Sequence, residues 1–503
     1  MVASSQSQVT YRNETGHYVA IVVTILACII GILWWFSTLS IPFLAISGDD
    51  FHRTLFAWEV SQGNLVPSPN WPPLQFWLEA IVYKLSSNLL RAPVVVNILS
   101  SALALFGMAL WVRLLVRDLM FVLLSIVIVA LLPWFIWLSV SGLVEPLAFC
   151  GIVWCYCGVS YWRTTKREMW LWIASVGFAI AAYTRFDSWG HGVPFTLLIA
   201  WYWLRNPQTR SWRWLAAAAL PWVLPFTWLV YQWRDFGNPF HFSGVIQRYY
   251  IQTHAVLPSF SERLLAQPKD LWYVGTFLVP LGLWGFWLAR KRSEMLMIVA
   301  MWTASLLMLI SSTLSFTISN NNPQRMVVVH VIALVPFALF AVQQMIQRKQ
   351  YWIAGIMALL IAYAVVVPLR TIPNYPSILK QDIVDVQTEL SELRKQGVLQ
   401  AGDRILIEVR IWEYLFLHLF SGDPGVVIYD RDPTFKVVNQ ERIFDEVNNP
   451  SLLALPPEQL QDALREQNVR VIVTYTERAQ QNLAPISTET MHSDRFRVHV
   501  FDK

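Results

Sequence analysis

The chain has 503 residues, of which 55% are hydrophobic and only 14% are charged, against about 25% charged residues in an ordinary soluble domain. A mean hydropathy of +0.43 excludes a soluble globular protein, because most of the chain must face something other than water. The net charge of +5 does not indicate nucleic-acid binding, because the basic residues form short clusters between apolar runs, as in the cytoplasmic loops of membrane proteins.

Apolar stretches long enough to cross a bilayer recur along most of the chain. A span needs about 20 mainly apolar residues to cross a hydrocarbon core of about 30 Å. The first stretch follows a polar segment, 1–17, and is too long for a signal peptide, so we expect an uncleaved first span. The sequence predicts eleven spans, at 18–46, 92–115, 119–140, 144–161, 170–188, 191–205, 212–232, 271–289, 294–318, 326–346 and 351–368.

The basic clusters predict the orientation of these spans. If segment 1–17 is cytoplasmic and the spans alternate, segments 47–91 and 233–270 and the C-terminus lie outside. The loops that fall inside are then the basic ones, at 162–169, 206–213, 290–293 and 347–350. This charge bias is typical of cytoplasmic loops. The short loops and modest soluble part favour a bacterial cytoplasmic membrane.

The first outer segment, 47–91, has its own helical pattern. Residues 51–63 and 74–89 have the spacing of amphipathic helices rich in Trp, Phe and Leu, and four prolines lie between them. Such helices tend to lie in the plane of the membrane interface. We expect the outer segment 233–270 to behave similarly.

The composition becomes that of ordinary soluble sequence after about residue 370. Apolar spacing predicts helices at 382–396 and 457–467. Short apolar runs predict strands at 404–409, 426–429, 469–475 and 496–501. Because strands alternating with helices are typical of α/β domains, we expect 371–503 to form a small extracytoplasmic α/β domain.

Two adjacent acids, Asp49 and Asp50, follow the first span directly. Carboxylates at the end of a span could simply be solvated interface residues. However, Gly48 would let the chain turn sharply, and His52 and Arg53 complete a dense polar cluster against the membrane. Ionisable groups near apolar depth usually indicate a functional site.

An acidic pair after the first span, an amphipathic helix and then a Pro-Pro-Leu segment resembles the GT-C glycosyltransferases. Within them, the pattern is most similar to the protein O-mannosyltransferases and lipid A aminoarabinose transferases, the family 39-like group. Their pair is usually Asp-Glu and their downstream segment Lys-Pro-Pro-Leu, whereas this chain has Asp49-Asp50 and Trp71-Pro72-Pro73-Leu74. The resemblance implies a GT-C transmembrane domain over 18–370.

Three further segments fit the same resemblance. Glu145 lies in a Glu-Pro element, Arg185 and Asp187 lie in a Thr-Arg-x-Asp element, and Arg325 lies in an element where Met326 replaces the usual tyrosine. The predicted orientation puts all of these charges at the outer face. Because all of them are predicted at the same face of the membrane, we favour the interpretation that they form one site over the interpretation that they are unrelated surface charges.

The resemblance implies an inverting glycosyltransferase that uses a polyprenyl-phosphate sugar. Asp49 would be the carboxylate base, since the attacking acceptor must lose a proton. The groups that would bind the donor phosphate are Arg325, Arg185, Arg53 and His52. The acids that would orient them, or hold Mg²⁺ or Mn²⁺, are Asp50, Glu145 and Asp187. A simpler alternative, which we favour over metal binding, is that Glu145 and Asp187 pair with Arg185 to neutralise buried charge.

The outer segment 233–270 adds a set of residues that could line a sugar or acceptor groove, namely His241, Tyr249, Tyr250 and His254. Such residues are more often interfacial anchors. The acceptor could be a protein, a lipid or a glycan. The main alternative function is a transporter or flippase, which would show repeated halves and charges near the bilayer midplane. The sequence has no half-to-half repeat and places its charges at span ends.

Overall fold

The computed structural model describes residues 3–68, 70–208, 211–253, 257–317, 322–379, 381–409, 413–431, 450–493 and 495–501. The chain divides into two compact units. We call Met1–Phe43, Pro69–Gln75 and Pro93–Tyr375 the membrane unit. We call Leu44–Ser68, Phe76–Ala92 and Pro376–Lys503 the mixed unit.

Helices dominate the described residues. The helices before the last apolar stretch ends are α1 (Ala3–Ser37), α2 (Gly48–Ser61), α3 (Leu74–Ser86), α4 (Ala92–Val116), α5 (Leu119–Ala130), α6 (Pro133–Ser139), α7 (Glu145–Thr165), α8 (Glu168–Ala182), α9 (Trp189–Arg205), α10 (Trp212–Ala219), α11 (Val223–Phe236), α12 (His241–Thr253), α13 (Phe260–Gly275), α14 (Leu278–Ala289), α15 (Met295–Leu314), α16 (Gln324–Gln347) and α17 (Tyr351–Leu369). The later helices are α18 (Gln381–Lys395), α19 (Glu413–Phe420), α20 (Pro457–Glu466) and α21 (Glu477–Leu483).

The described residues contain six helices long and apolar enough to cross a membrane, or up to eight if two bent helix pairs each count as one span. The chain is therefore an integral, multi-pass membrane protein, as predicted. Helix occupies most of every predicted stretch, but the predicted count of eleven spans is not confirmed. Helices α8 and α9 have only 15 and 17 residues, whereas a perpendicular span needs about 20.

Both bent pairs break where the backbone cannot continue a helix. Helices α5 and α6 meet at 68°, and Pro133 at the start of α6 has no N–H to bond back into α5. Helices α13 and α14 meet at 96°. There Thr276 ends α13 with a φ of 41°, a left-handed value that stops helical hydrogen bonding.

Glycines let α7 and α8 approach closely. A Cβ on Gly151 would lie 2.5 Å from the carbonyl oxygen of Gly177, and a Cβ on Gly158 would lie 2.6 Å from the backbone nitrogen of Ala174. Small residues at a helix crossing are the usual means of close packing in membranes. This pair carries Glu145 at one end, so its packing also positions the candidate site.

The variant Gly151→Ala is expected to lower the melting temperature of the detergent-solubilised protein, because backbone atoms of α8 cannot move aside for the new methyl group. Overpacking of this kind costs about 1–3 kcal/mol. The matched control is Gly355→Ala in α17, where nothing lies within 4 Å of the added Cβ. The control should be neutral or slightly stabilising, since Ala favours helix over Gly. Equal melting temperatures for the two variants would contradict the close crossing.

The mixed unit contains a five-stranded sheet in the order β2-β1-β3-β5-β4. The strands are β1 (Arg404–Ile407), β2 (Val427–Tyr429), β3 (Val469–Thr474), β4 (Ser487–His492) and β5 (Arg497–Phe501). Strand β1 pairs in parallel with β2 and β3, and β5 pairs antiparallel with β3 and β4. Leu460 and Leu464 of α20 pack with Leu406 and Ile472 in the core. The predicted small α/β fold is confirmed.

Helices α2 and α19 also pack together within the mixed unit. The rings of Phe51 and Phe416 have centroids 4.0 Å apart, and Phe51 is fully buried. In the same helix α19, His418 bonds through Nε2 to the carbonyl oxygen of Pro424 and through Nδ1 to the hydroxyl of Tyr429. Since a carbonyl only accepts, Nε2 carries the proton and Nδ1 accepts from Tyr429.

Burial lowers the pKa of His418 to about 4, below its ordinary value of about 6.5. The folded state then binds fewer protons than the unfolded state between these pH values, so this contribution to stability is lost as the pH falls from 6.5 to 4. The loss should approach about 3 kcal/mol. It is measured as the difference in unfolding free energy between the wild type and His418→Gln across this range. The exposed His492→Gln is the control, and equal pH profiles for both variants would contradict the assignment.

Candidate active site

Four charged side chains form one ion-pair network in the membrane unit. Arg185 Nη1 donates to Glu145 Oε1 at 2.5 Å, and Nε and Nη2 donate to the two oxygens of Asp187 at 2.9 and 3.0 Å. Arg325 Nε lies 3.5 Å from the same Glu145 oxygen. Glu145 is 2% exposed and Arg325 is 4% exposed. Two arginines and two carboxylates sum to zero charge, which reduces the cost of burying them.

Each member of the network lies at a helix end. Glu145 is the first residue of α7, where the positive end of the helix dipole favours a carboxylate. Arg185 and Asp187 lie in the turn between α8 and α9, and Arg325 lies in the first turn of α16. The sulfur of Met326, the residue after Arg325, accepts a hydrogen bond from Arg185 Nη2 at 2.6 Å. The turn and both helix starts therefore meet at the guanidinium of Arg185.

The electrostatics keep the Arg185–Asp187 pair ionised. Burial alone would lower the pKa of Arg185, but the charges of Asp187 and Glu145 outweigh burial and raise it. Burial alone would raise the pKa of Asp187, but the charge and hydrogen bonds of Arg185 outweigh burial and lower it. This pair is therefore a fixed cation held by a fixed carboxylate over the ordinary pH range.

The acidic pair lies in the first turn of α2, in the mixed unit, and its two members differ. Asp50 is fully buried, and its Oδ2 accepts the backbone N–H groups of Ile46 and Ser47 at 2.9 and 2.8 Å. Asp50 is the third residue of α2, and with Ser47 at the N-cap position it forms a capping box. Asp49, the second helical residue, is only half-buried. The geometry thus gives Asp50 a capping task and leaves Asp49 as the more accessible carboxylate.

The two cationic candidates on α2 are also buried. Burial lowers the pKa of His52 to about 3, and its ring stacks on Phe56 with centroids 5.4 Å apart. A neutral imidazole can donate a hydrogen bond to a phosphate but adds no charge. Arg53 is 6% exposed, with its guanidinium carbon 5.8 Å from the centre of the Phe76 ring.

The structure describes the predicted groove residues only in part. His241 begins α12 and stacks on Phe236 at a centroid distance of 4.2 Å. Tyr250 is buried and packs on Phe316 at 5.0 Å. Tyr249 lies in α12, but its side chain is outside the described residues, as is His254.

The described residues contain no evident cluster of ligands for the predicted Mg²⁺ or Mn²⁺. Within them, no group of three or more His, Cys, Asp or Glu residues is arranged to hold a metal ion. Glu145 accepts from Arg185 and Asp50 accepts two backbone N–H groups, so an oxygen of each carboxylate already has donors.

Sequence reasoning missed three polar side chains inside the helices of the network. Tyr156 on α7, His191 on α9 and His330 on α16 are each at most 2% exposed. The rings of the two histidines have centroids 6.1 Å apart. Both histidines lie within apolar stretches of sequence. Because ionisable residues in such stretches usually indicate a functional position, the sequence did contain a signal for them.

The comparisons identify the class of fold. Neither a protein-family model nor a curated protein matches the sequence. Among solved structures, ArnT from Cupriavidus metallidurans in the apo state matches with a TM-score of 0.56 at 14% identity, covering 97% of this chain and 98% of that chain. The chain therefore has the fold of this ArnT over nearly its whole length, which confirms the predicted fold class.

The same relative was also solved with a lipid. ArnT from Cupriavidus metallidurans bound to undecaprenyl phosphate matches with a TM-score of 0.55 at 14% identity, covering 96% of this chain and 98% of that chain. At this identity the likeness establishes the fold, and it extends over the soluble C-terminal part as well as the spans.

Proposed function

We propose that this protein is a GT-C glycosyltransferase that transfers a sugar from a polyprenyl-phosphate donor to an acceptor on the extracytoplasmic face of a bacterial cytoplasmic membrane. The observation that carries the proposal is the neutral Arg–carboxylate network, at the helix ends where the GT-C motifs lie, in a chain with the ArnT fold over nearly its whole length. The lipid in the ArnT structure, undecaprenyl phosphate, supports the class of donor.

The reaction is a single inverting displacement. An acceptor oxygen or nitrogen attacks the anomeric carbon and forms the new glycosidic bond. The bond from that carbon to the phosphate oxygen breaks, and its electron pair stays on the lipid phosphate. The acceptor proton passes to the carboxylate of Asp49, which is half-buried at the start of α2. The carboxylate is regenerated when this proton leaves to water.

The leaving phosphate needs cations, and arginine binds it through paired N–H groups. Arg325, in the first turn of α16 and 3.5 Å from Glu145, is our leading candidate for this contact. Arg185 donates to Glu145, Asp187 and Met326, and we assign it a positioning role. In this assignment Arg185 holds Glu145, and Glu145 orients Arg325. Arg53 and a neutral His52 are further donors on α2, whereas Asp50 stabilises the turn that carries Asp49.

The experiment is an assay of the purified full-length protein with a panel of polyprenyl-phosphate sugars and candidate protein, lipid and glycan acceptors. The expected result is release of polyprenyl phosphate that depends on an acceptor. A flippase would instead move an intact lipid-linked sugar across proteoliposomes and release no lipid phosphate. Translocation without release would overturn the proposal.

A further inference from the structure

A row of polar aromatic side chains lies inside the membrane unit and has no part in the proposed transfer. Trp111 on α4, Tyr156 on α7, His191 on α9 and His330 on α16 are each at most 2% exposed. The ring centroids are 5.3 Å apart from Trp111 to Tyr156, 5.8 Å from Tyr156 to His191 and 6.1 Å from His191 to His330. We call these four residues the polar aromatic row.

Five buried polar atoms of this row have no hydrogen-bond partner among the described residues. They are Trp111 Nε1, Tyr156 Oη, His191 Nδ1, His330 Nδ1 and His330 Nε2. Buried polar groups in native proteins are almost always satisfied by protein or by bound water, because an unsatisfied group loses its hydration without compensation. A row of such atoms across four helices therefore indicates a bound hydrogen-bonding ligand.

The spacing of the rings excludes a direct bond between the two histidines. Imidazoles joined by an N–H···N bond of about 3 Å have centroids about 5 Å apart, and the observed separation is 6.1 Å. A water oxygen about 2.8 Å from one nitrogen of each ring spans the observed separation with an angle of about 100°, close to tetrahedral. Water also donates and accepts, which suits the donor-only indole and the mixed capacity of the phenol and imidazoles.

We propose that the polar aromatic row binds a short file of internal water molecules, with one water bridging His191 and His330. His191 follows Asp187 by four residues, and His330 follows Arg325 by five, so each lies roughly one helical turn beyond a member of the ion-pair network. Tyr156 lies about three turns along α7 from Glu145. The water file thus extends the polar interior from the network into the apolar part of the membrane unit.

Radiolytic labelling of the intact wild-type protein tests this proposal. X-ray pulses generate hydroxyl radicals from bound water, and these oxidise side chains beside that water even where the side chains are buried. Mass spectrometry is expected to show that Tyr156 is oxidised severalfold faster than Phe178 and Phe195, after correction for intrinsic reactivity. Both phenylalanines are fully buried, so they are matched controls. Equal corrected rates would overturn the proposal.

A variant distinguishes water held by this row from water elsewhere. His330→Phe fills the ring volume but removes both nitrogens, so the oxidation of Tyr156 and His191 is expected to fall severalfold. Ser125→Ala is the control, because the buried Ser125 hydroxyl donates to the carbonyl oxygen of Val122 within the same helix. Unchanged oxidation in a folded His330→Phe protein would contradict the bridge. If that variant does not fold, the wild-type comparison decides the question alone.

Discussion

The variant Asp49→Asn is expected to lower transfer from a polyprenyl-phosphate sugar by about 10²- to 10⁴-fold, because an amide cannot accept the acceptor's proton. The substitution preserves shape at the second position of α2, so folded protein should be recovered at wild-type yield. Transfer is measured as released polyprenyl phosphate at saturating donor, and folding is measured by the melting temperature.

The matched control for Asp49→Asn is Asp118→Asn. Asp118 is an exposed carboxylate whose side chain accepts the Met120 N–H at 2.9 Å to cap α5, and asparagine caps equally well. It should leave transfer unchanged. Near-normal transfer by the Asp49 variant, with its protein correctly folded, would remove Asp49 as the base.

Much of the helical pattern was predictable from apolar runs, but helix ends were not always so. The first span was expected to continue to residue 46, whereas α1 ends at Ser37. The sequence stays apolar there, but Ser40 has a φ of 53°, and Pro42 cannot donate a helical hydrogen bond. An apolar run in the sequence does not show where the backbone conformation ends a helix.

The strand β4 was missed for a different reason. Residues Ser487–His492 are mostly exposed and carry no apolar alternation. This edge strand forms because β5 offers it a hydrogen-bonding partner, and such tertiary pairing overrides weak local preference. The four buried strands, by contrast, were predicted to within two residues at their ends.

The candidate site was predictable as a set of residue types but not as contacts. No spacing rule links Glu145 to Arg185, which are 40 residues apart, and their pairing depends on how α7 and α8 cross. The different roles of Asp49 and Asp50 could have been predicted more easily. Ser47 is followed three residues later by an acid, Asp50, and this spacing is a capping-box pattern. The acidic pair was considered instead as two candidate chemical groups.

Replacing Arg185 is expected mainly to lower stability, whereas replacing Arg325 is expected mainly to lower transfer. Arg185→Met leaves Asp187, whose side chain is 17% exposed, without its bidentate partner, and breaking such a largely buried pair costs up to about 3–5 kcal/mol. Its melting temperature should therefore fall sharply. The double variant Glu145→Gln with Arg325→Gln removes one charge of each sign and keeps the Arg185–Asp187 pair, so its stability should stay close to that of the wild type.

If Arg325 binds the leaving phosphate, the stable double variant should still lose transfer by about 10²- to 10³-fold, the usual loss when one charge-stabilising donor is removed. The matched control is Arg234→Gln with Asp235→Asn, which removes an exposed pair joined at 2.7 Å. It should affect neither stability nor transfer, because exposed pairs contribute little. Wild-type transfer by the Glu145/Arg325 double variant would mean that the network only neutralises buried charge, and that the phosphate is bound by other cations.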